Sequence, residues 1–251
     1  MGRISNRIYR CIRFLVWVFY PKTQVEGMEN LPDGPCVIVG NHAQMNGPIA
    51  CELYLPGEHY TWCAQEMMRL KEVPAYAYRD FWSGKPGHVR WLFRIASYLI
   101  APIAVCVFNN ANCIGVYRDA RGLRTFRQTL ERLSEGARIV IFPEENVPYN
   151  GLLWRFQSGF VDLGHMYRAR TRRALTFVPM YVAPAFHKLV FGRPVAYDPE
   201  APAAEERERV CAALVDEITR VARSLPPHTV VPYPNMPKKN YPRSRPEARG
   251  E

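Results

Sequence analysis

Four short apolar runs constrain this chain most. CVIVG begins at Cys36, CIGVY at Cys113, RIVIF at Arg138 and LTFVPMYV at Leu175. Each is rich in β-branched residues and too short for a helix, so each reads as a strand. YTWCAQ, from Tyr60, and HKLVFGRPVAY, from His187, add two more strand candidates. Helical patterns separate them. DARGLRTFRQTLERLSEG places Leu123, Phe126, Leu130 and Leu133 on one face and ends at Gly136. Residues 205–225 place Val210, Leu214, Ile218, Val221 and Leu225 on one face, with glutamates early and arginines late, as the helix dipole favours. PIACELYL reads as a helix with Pro48 near its first position, and SGFVDLGHMYRA as another. Strands alternating with helices predict an α/β domain with a mixed, mostly parallel central sheet covered by helices. In such sheets functional groups collect where strands end. His42, Arg118 and Glu144 each stand just beyond a predicted strand.

With 251 residues, one main domain is expected over 23–225, with an appendage at either end. Residues 1–22 form the first. Ile4, Ile8, Ile12 and Leu15 recur at helical spacing, Arg3, Arg7, Arg10 and Arg13 recur beside them, and Trp17, Phe19 and Tyr20 follow. A basic amphipathic helix with aromatic residues suits a membrane interface, where guanidinium groups meet phosphates. Its uncharged run is too short for a secretory signal, and Asn6 stands where a myristoylation site wants Ser or Thr. The second appendage, 226–251, is Pro-rich and basic and is expected to be irregular. Within the main domain, WLFRIASYLIAPIAVCVF, from Trp91, is the most hydrophobic stretch. Its charge-free part is shorter than the roughly 20 residues of a membrane span. With Pro102 inside it, the stretch reads either as a membrane-facing helix pair or as a buried core helix.

A formal net charge of +10 suggests a polyanionic partner. No helix-turn-helix, zinc-finger or RNP-like pattern accompanies it, so no nucleic-acid partner is expected; an anionic membrane surface is. The seven cysteines are scattered, without CxxC or Cys/His metal spacing, so free thiols, mostly buried, are expected and no metal site. Ser97 and Ser158 sit in no Gly-x-Ser-x-Gly elbow, which argues against a serine hydrolase.

Four blocks occur in a telling order. NHAQMNGP follows the first strand, IGVYRD contains a later strand exit, IFPEEN follows the RIVIF strand, and FVPMYV runs through Pro179. Together they resemble the glycerolipid acyltransferase superfamily, typified by 1-acylglycerol-3-phosphate acyltransferases, over about two-thirds of the chain. In that family a histidine, four residues and an aspartate form a catalytic dyad. The resemblance implies that His42 is the general base. The family's aspartate position holds Gly47, with Asn46 one residue earlier. Asn46, or a glutamate such as Glu52 or Glu144, is therefore the expected partner of the imidazole. The same resemblance implies substrate-binding roles for Asn41, Arg118, Arg121, Glu144 and Asn146. A guanidinium suits a phosphate because its planar fork meets two oxygens at once. The family continues Phe-Pro-Glu with Gly, Thr and Arg; here Glu145, Asn146 and Val147 follow.

The resemblance implies a membrane-associated acyltransferase at the cytoplasmic face, peripheral or monotopic. It would move a fatty acyl group from acyl-CoA or acyl-carrier protein to a lysophospholipid or glycerolipid hydroxyl in phospholipid biosynthesis. The acyl thioester is a substrate, so no cofactor is expected. The alternative is a non-catalytic, lipid-binding protein of the same fold that has lost the catalytic Asp.

Overall fold

The runs VIVG and RIVI lie side by side and, apart from half-buried Arg138, are buried, as apolar β-branched segments in a parallel sheet should be. The computed structural model describes residues 3–82 and 84–245. In chain order the elements are α1 (Arg3–Phe19), β1 (Gln24–Glu26), β2 (Val37–Gly40), α2 (Asn46–Tyr54), β3 (His59–Ala64), α3 (Val73–Ala77), α4 (Arg90–Asn110), β4 (Cys113–Val116) and α5 (Gly122–Ser134). There follow β5 (Arg138–Ile141), β6 (Glu144–Pro148), β7 (Trp154–Phe156), α6 (Asp162–Thr171), β8 (Thr176–Ala183), β9 (Lys188–Phe191), β10 (Val195–Ala196) and α7 (Ala203–Ser224). Two compact units emerge. One comprises Met1–Tyr20 and Tyr60–Thr129, the other Pro21–His59 and Leu130–Glu251.

The second unit carries strands in the order β1-β9-β8-β2-β5, with β10 also on β8. β1 with β9, β8 with β2 and β2 with β5 are parallel; β9 and β10 each run antiparallel to β8. The sheet is thus mixed and mostly parallel. α7 packs on β8 and buries Val210, Leu214, Ile218 and Val221. Leu225, expected on that face, lies one residue past the helix end. Glu206 and Glu217 are buried on the same helix. They are held by Arg209, and by Arg193 and Arg220, so the core face contains paired carboxylates that an apolar pattern does not reveal. β6 and β7 form a separate hairpin, which sequence patterning missed. Its bend is organised by Asn150, whose Oδ1 accepts from the N–H of Leu152 and Leu153.

In the first unit β3 and β4 are parallel neighbours. The Trp91 stretch is neither a broken pair nor a core helix. It is one continuous helix of 21 residues running through Pro102, with only Ser97 and Ala101 buried. At 1.5 Å per residue it is about 30 Å long, enough by length and composition to cross a membrane. α1 lies against α4. Ser5, Tyr9, Ile12 and Val16 form its covered stripe, while Ile4, Ile8 and Leu15 from the expected apolar face are exposed together with Phe14, Trp17, Val18 and Phe19.

Three local expectations need correcting. α2 begins at Asn46, so Pro48 is its third residue, where the missing N–H has no intrahelical acceptor in any case. SGFV is a 3₁₀ turn, and α6 starts only at Asp162. On α5, Leu123 is 74% exposed while Thr125 and Thr129 are buried. Thr125 Oγ1 donates to Gly115 O, and Trp62 Nε1 donates to Thr129 Oγ1. Gly136, with φ 94°, ends α5 as expected. All seven cysteines are free; Cys36 and Cys51 are buried, and Cys11 is exposed.

Candidate functional site

β2 delivers Asn41 and His42 to a tight corner before α2. Asn41 is buried, its Oδ1 accepting from Val182 N–H at 2.7 Å and its Nδ2 donating to Val182 O at 3.3 Å. It pairs with β8 through its side chain where the backbone ladder ends, and so fixes the direction in which the chain leaves β2. The next residues turn sharply. Ala43 and Gln44 both adopt left-handed φ values of 46° and 56°, which costs a non-glycine residue roughly 1 kcal/mol or more. The result is that the Gln44 carbonyl faces the His42 ring and accepts a hydrogen bond from Nδ1–H. A carbonyl cannot donate, so Nδ1 carries the proton in this pairing and Nε2 is the unprotonated nitrogen of the neutral ring.

The corner is supported from several sides. Asn46 Nδ2 donates to Ala43 O at 2.8 Å. The N–H groups of Asn46 and Gly47 donate to Ala43 O and His42 O, each at 3.1 Å. The Phe142 ring packs on the imidazole with centroids 5.2 Å apart, and Tyr233 meets it edge-on at 5.7 Å.

Glu144, just past β5, is buried. Its Oε2 accepts from the backbone N–H of His42 at 2.6 Å, so the carboxyl bears on the main chain at the histidine. Burial pushes its pKa up to about 7, against backbone hydrogen bonds from His42 and Trp154 that favour the charge. The Phe-Pro-Glu block therefore supplies both a ring beneath His42 and an acceptor behind it. Asn146 is exposed farther along β6. Arg155 on β7 pairs with Glu145.

Position 47 is closed to any side chain on steric grounds. A Cβ on Gly47 would meet His42 O and Phe142 Cε1 at 2.8 Å each. No side chain fits there without moving backbone or ring.

Arg118 and Arg121 belong to the first unit, after β4. Arg121 pairs with Asp119 at 2.7 Å and lies over the Tyr117 ring at 4.8 Å; this guanidinium holds the Asp119 carboxyl down at about 2. Arg118 is exposed. Among the described residues no group of three His, Cys, Asp or Glu side chains could hold a metal ion.

No family model matches the chain, and no curated protein matches it. Among solved structures it is similar to the crystal structure of the 1-acyl-sn-glycerophosphate (LPA) acyltransferase PlsC from Thermotoga maritima. Identity is 16% and the TM-score 0.48, covering 88% of this chain and 84% of that one.

Proposed function

We propose that the protein is a membrane-associated acyltransferase that moves a fatty acyl group from an acyl-CoA or acyl-carrier-protein thioester to a lysophospholipid or other glycerolipid hydroxyl. The observation that carries this reading is the pairing of His42 Nδ1–H with Gln44 O, which leaves Nε2 as the basic nitrogen at a strand exit.

In the proposed reaction Nε2 takes the proton of the acceptor hydroxyl as its oxygen attacks the thioester carbonyl. The tetrahedral intermediate collapses with cleavage of the C–S bond. The imidazolium returns its proton to the departing thiolate, so an ester and a free thiol are formed and the enzyme is unchanged. The backbone carbonyl does the orienting part of an aspartate's work but carries no full charge. A hydrogen bond to a charged group is worth about 1 kcal/mol more than a neutral one, so the missing charge costs about fivefold in rate. A wrong tautomer costs far more, about 10⁴ in the serine-protease example. Asn41 and Asn46 hold the corner and Glu144 supports the His42 backbone; roles in acceptor binding for Arg118, Arg121 and Asn146 rest on the sequence resemblance alone.

Attachment to the anionic cytoplasmic face of a membrane is supported by the exposed apolar residues of α1 and α4 and by the net charge of +10. The test is thiol release from acyl-CoA and from acyl-carrier protein with a panel of glycerolipid acceptors. Wild type should release thiol and form ester, and His42→Ala should lose at least about 10² in rate. Undiminished activity in His42→Ala would sink the mechanism. Binding of acyl lipid by wild type without transfer to any acceptor would establish the non-catalytic alternative.

A further inference from the structure

The segment after α7 returns over the His42 corner and closes on itself. Val230 N–H donates to Pro242 O at 2.8 Å, Ser244 N–H to His228 O at 2.9 Å, and His228 N–H to Ser244 Oγ at 3.1 Å. Thr229 and Arg243 form an antiparallel bridge between the two arms. The base is anchored twice. His228 Nε2 and Tyr181 Oη of β8 lie 2.7 Å apart, and the Arg245 guanidinium donates to Arg223 O at the end of α7. Val230 and Ser244 are each 1% exposed, so these arms are packed parts of the second unit.

Between the arms, two tyrosines reach the histidine turn. Tyr233 stands edge-on to the His42 ring, and Tyr241 Oη accepts a hydrogen bond from Gln44 Nε2 at 3.0 Å. Gln44 is the residue whose carbonyl holds Nδ1–H, and it sits in a left-handed conformation that a glutamine does not favour. A strained residue keeps its geometry only where its surroundings over-determine it. Ala43 beside it is buried, and Asn46 grips the Ala43 carbonyl. The Gln44 side chain is held from the C-terminal segment.

We infer that residues 226–245 form a strap whose Tyr241, acting through Gln44, sets the tautomer of His42, with Tyr233 limiting the rotation of the ring. Both tyrosines are positioning residues. What the tautomer is used for rests on the function proposed above; the coupling itself does not. Without the Tyr241 hydroxyl the Gln44 turn can relax, its carbonyl leaves Nδ1, and the ring populates the Nε2–H form, which has no lone pair at Nε2.

The experiment is ¹⁵N NMR of the His42 ring in the full chain at a pH above its titration, with His42→Gln to assign the signals. Wild type should show a protonated Nδ1. Tyr241→Phe, which loses only the hydroxyl, should show a mixture of tautomers. Gln44→Ala should do the same, and the double variant should shift no further, because both act on one link. In the transfer assay each should lower kcat by about three- to tenfold, the scale of one hydrogen bond, with KM unchanged. A wild-type ring protonated on Nε2, or ring signals unmoved by Tyr241→Phe, overturns the inference. If the ring responds as described but wild type transfers no acyl group, the strap stands and the acyltransferase reading falls.

Discussion

The ring Nδ1–H of His42 donates to the backbone carbonyl of Gln44, two residues farther along the same turn. The histidine is thus oriented by its own chain, and that turn leaves no room for the carboxylate a His-x₄-Asp pattern would supply. The left-handed pair Ala43 and Gln44 brings the carbonyl round, and Gly47 lets the turn close against Phe142 and His42 O.

Placing an aspartate in this turn should therefore harm the protein. In Gly47→Asp the new Cβ has to displace Phe142 or the His42 carbonyl, a change that costs about 1–3 kcal/mol in a packed site. Asn46→Asp replaces the amide donor to Ala43 O with an acceptor and costs about 1–2 kcal/mol. Urea denaturation should show both losses, and neither variant should transfer faster than wild type. A faster Gly47→Asp would mean that position 47 can present a side chain to the ring.

Much of the scaffold was legible in the sequence because strand burial leaves a simple signal. The uncharged runs at Val37, Ile139 and Phe177 became β2, β5 and β8, and the stripe Val210, Leu214, Ile218 became the core face of α7. What failed involves polar groups satisfied inside. Thr125 and Thr129 face inward on α5 because a hydroxyl, a carbonyl and an indole meet there, while Leu123 faces out. For the candidate site, the corner position of His42 could be read. Its support by Gln44 could not, because a backbone carbonyl turned by two left-handed residues leaves no mark in residue type. Nor could the contacts of Tyr233 and Tyr241 with this turn, since nothing local ties residues about 190 positions apart.

Glu144 makes stability depend on pH in a defined direction. Its pKa rises from an ordinary 4.5 to about 7 on folding, chiefly through burial. Between those values the folded chain keeps a proton that the unfolded chain has released, so this group's contribution falls as pH rises through that window and is flat above it. Glu144→Gln stays neutral and can still accept from His42 N–H. Relative to wild type it should gain about 2 kcal/mol between pH 5.5 and pH 8, at about 1.36 kcal/mol per pH unit until the titration ends. A constant difference between the two proteins across that range would mean that the carboxyl titrates normally.

Arg118 and Arg121 should behave differently. Arg121 is engaged with Asp119, whereas no hydrogen bond or ion pair of Arg118 is found among the described residues. If Arg118 takes an anionic headgroup, Arg118→Ala should raise the acceptor KM by about 10–100-fold, the worth of a charged hydrogen bond. Arg118→Lys should recover part of the loss, since an ammonium lacks the planar fork. Arg121→Ala should have a smaller effect, because the free guanidinium must first leave Asp119. Equal acceptor KM values in wild type and Arg118→Ala would assign Arg118 to the fold alone.

The exposed side of α1 should be what meets the membrane. Phe14, Trp17 and Phe19 are 59%, 45% and 83% exposed, so replacing all three with serine removes little packing and should leave the melting temperature nearly unchanged. Each aromatic ring that enters an apolar phase is worth about 1.5–3 kcal/mol when fully buried. Even half of the lower figure for three rings is about 2 kcal/mol, so the triple variant should bind vesicles of phosphatidylcholine and phosphatidylglycerol at least about tenfold more weakly in a flotation assay. Arg7 and Arg10, exposed on the same helix, should make wild-type binding weaken as salt rises, because screening shortens the reach of exposed charges to about 8 Å at physiological ionic strength. Retained binding by the triple variant with unchanged salt dependence would move the contact to α4, where Trp91, Tyr98 and Leu99 are also exposed, and the same substitution logic would then be applied there. Retained binding after both sets of replacements would end the membrane-docking role of these two helices.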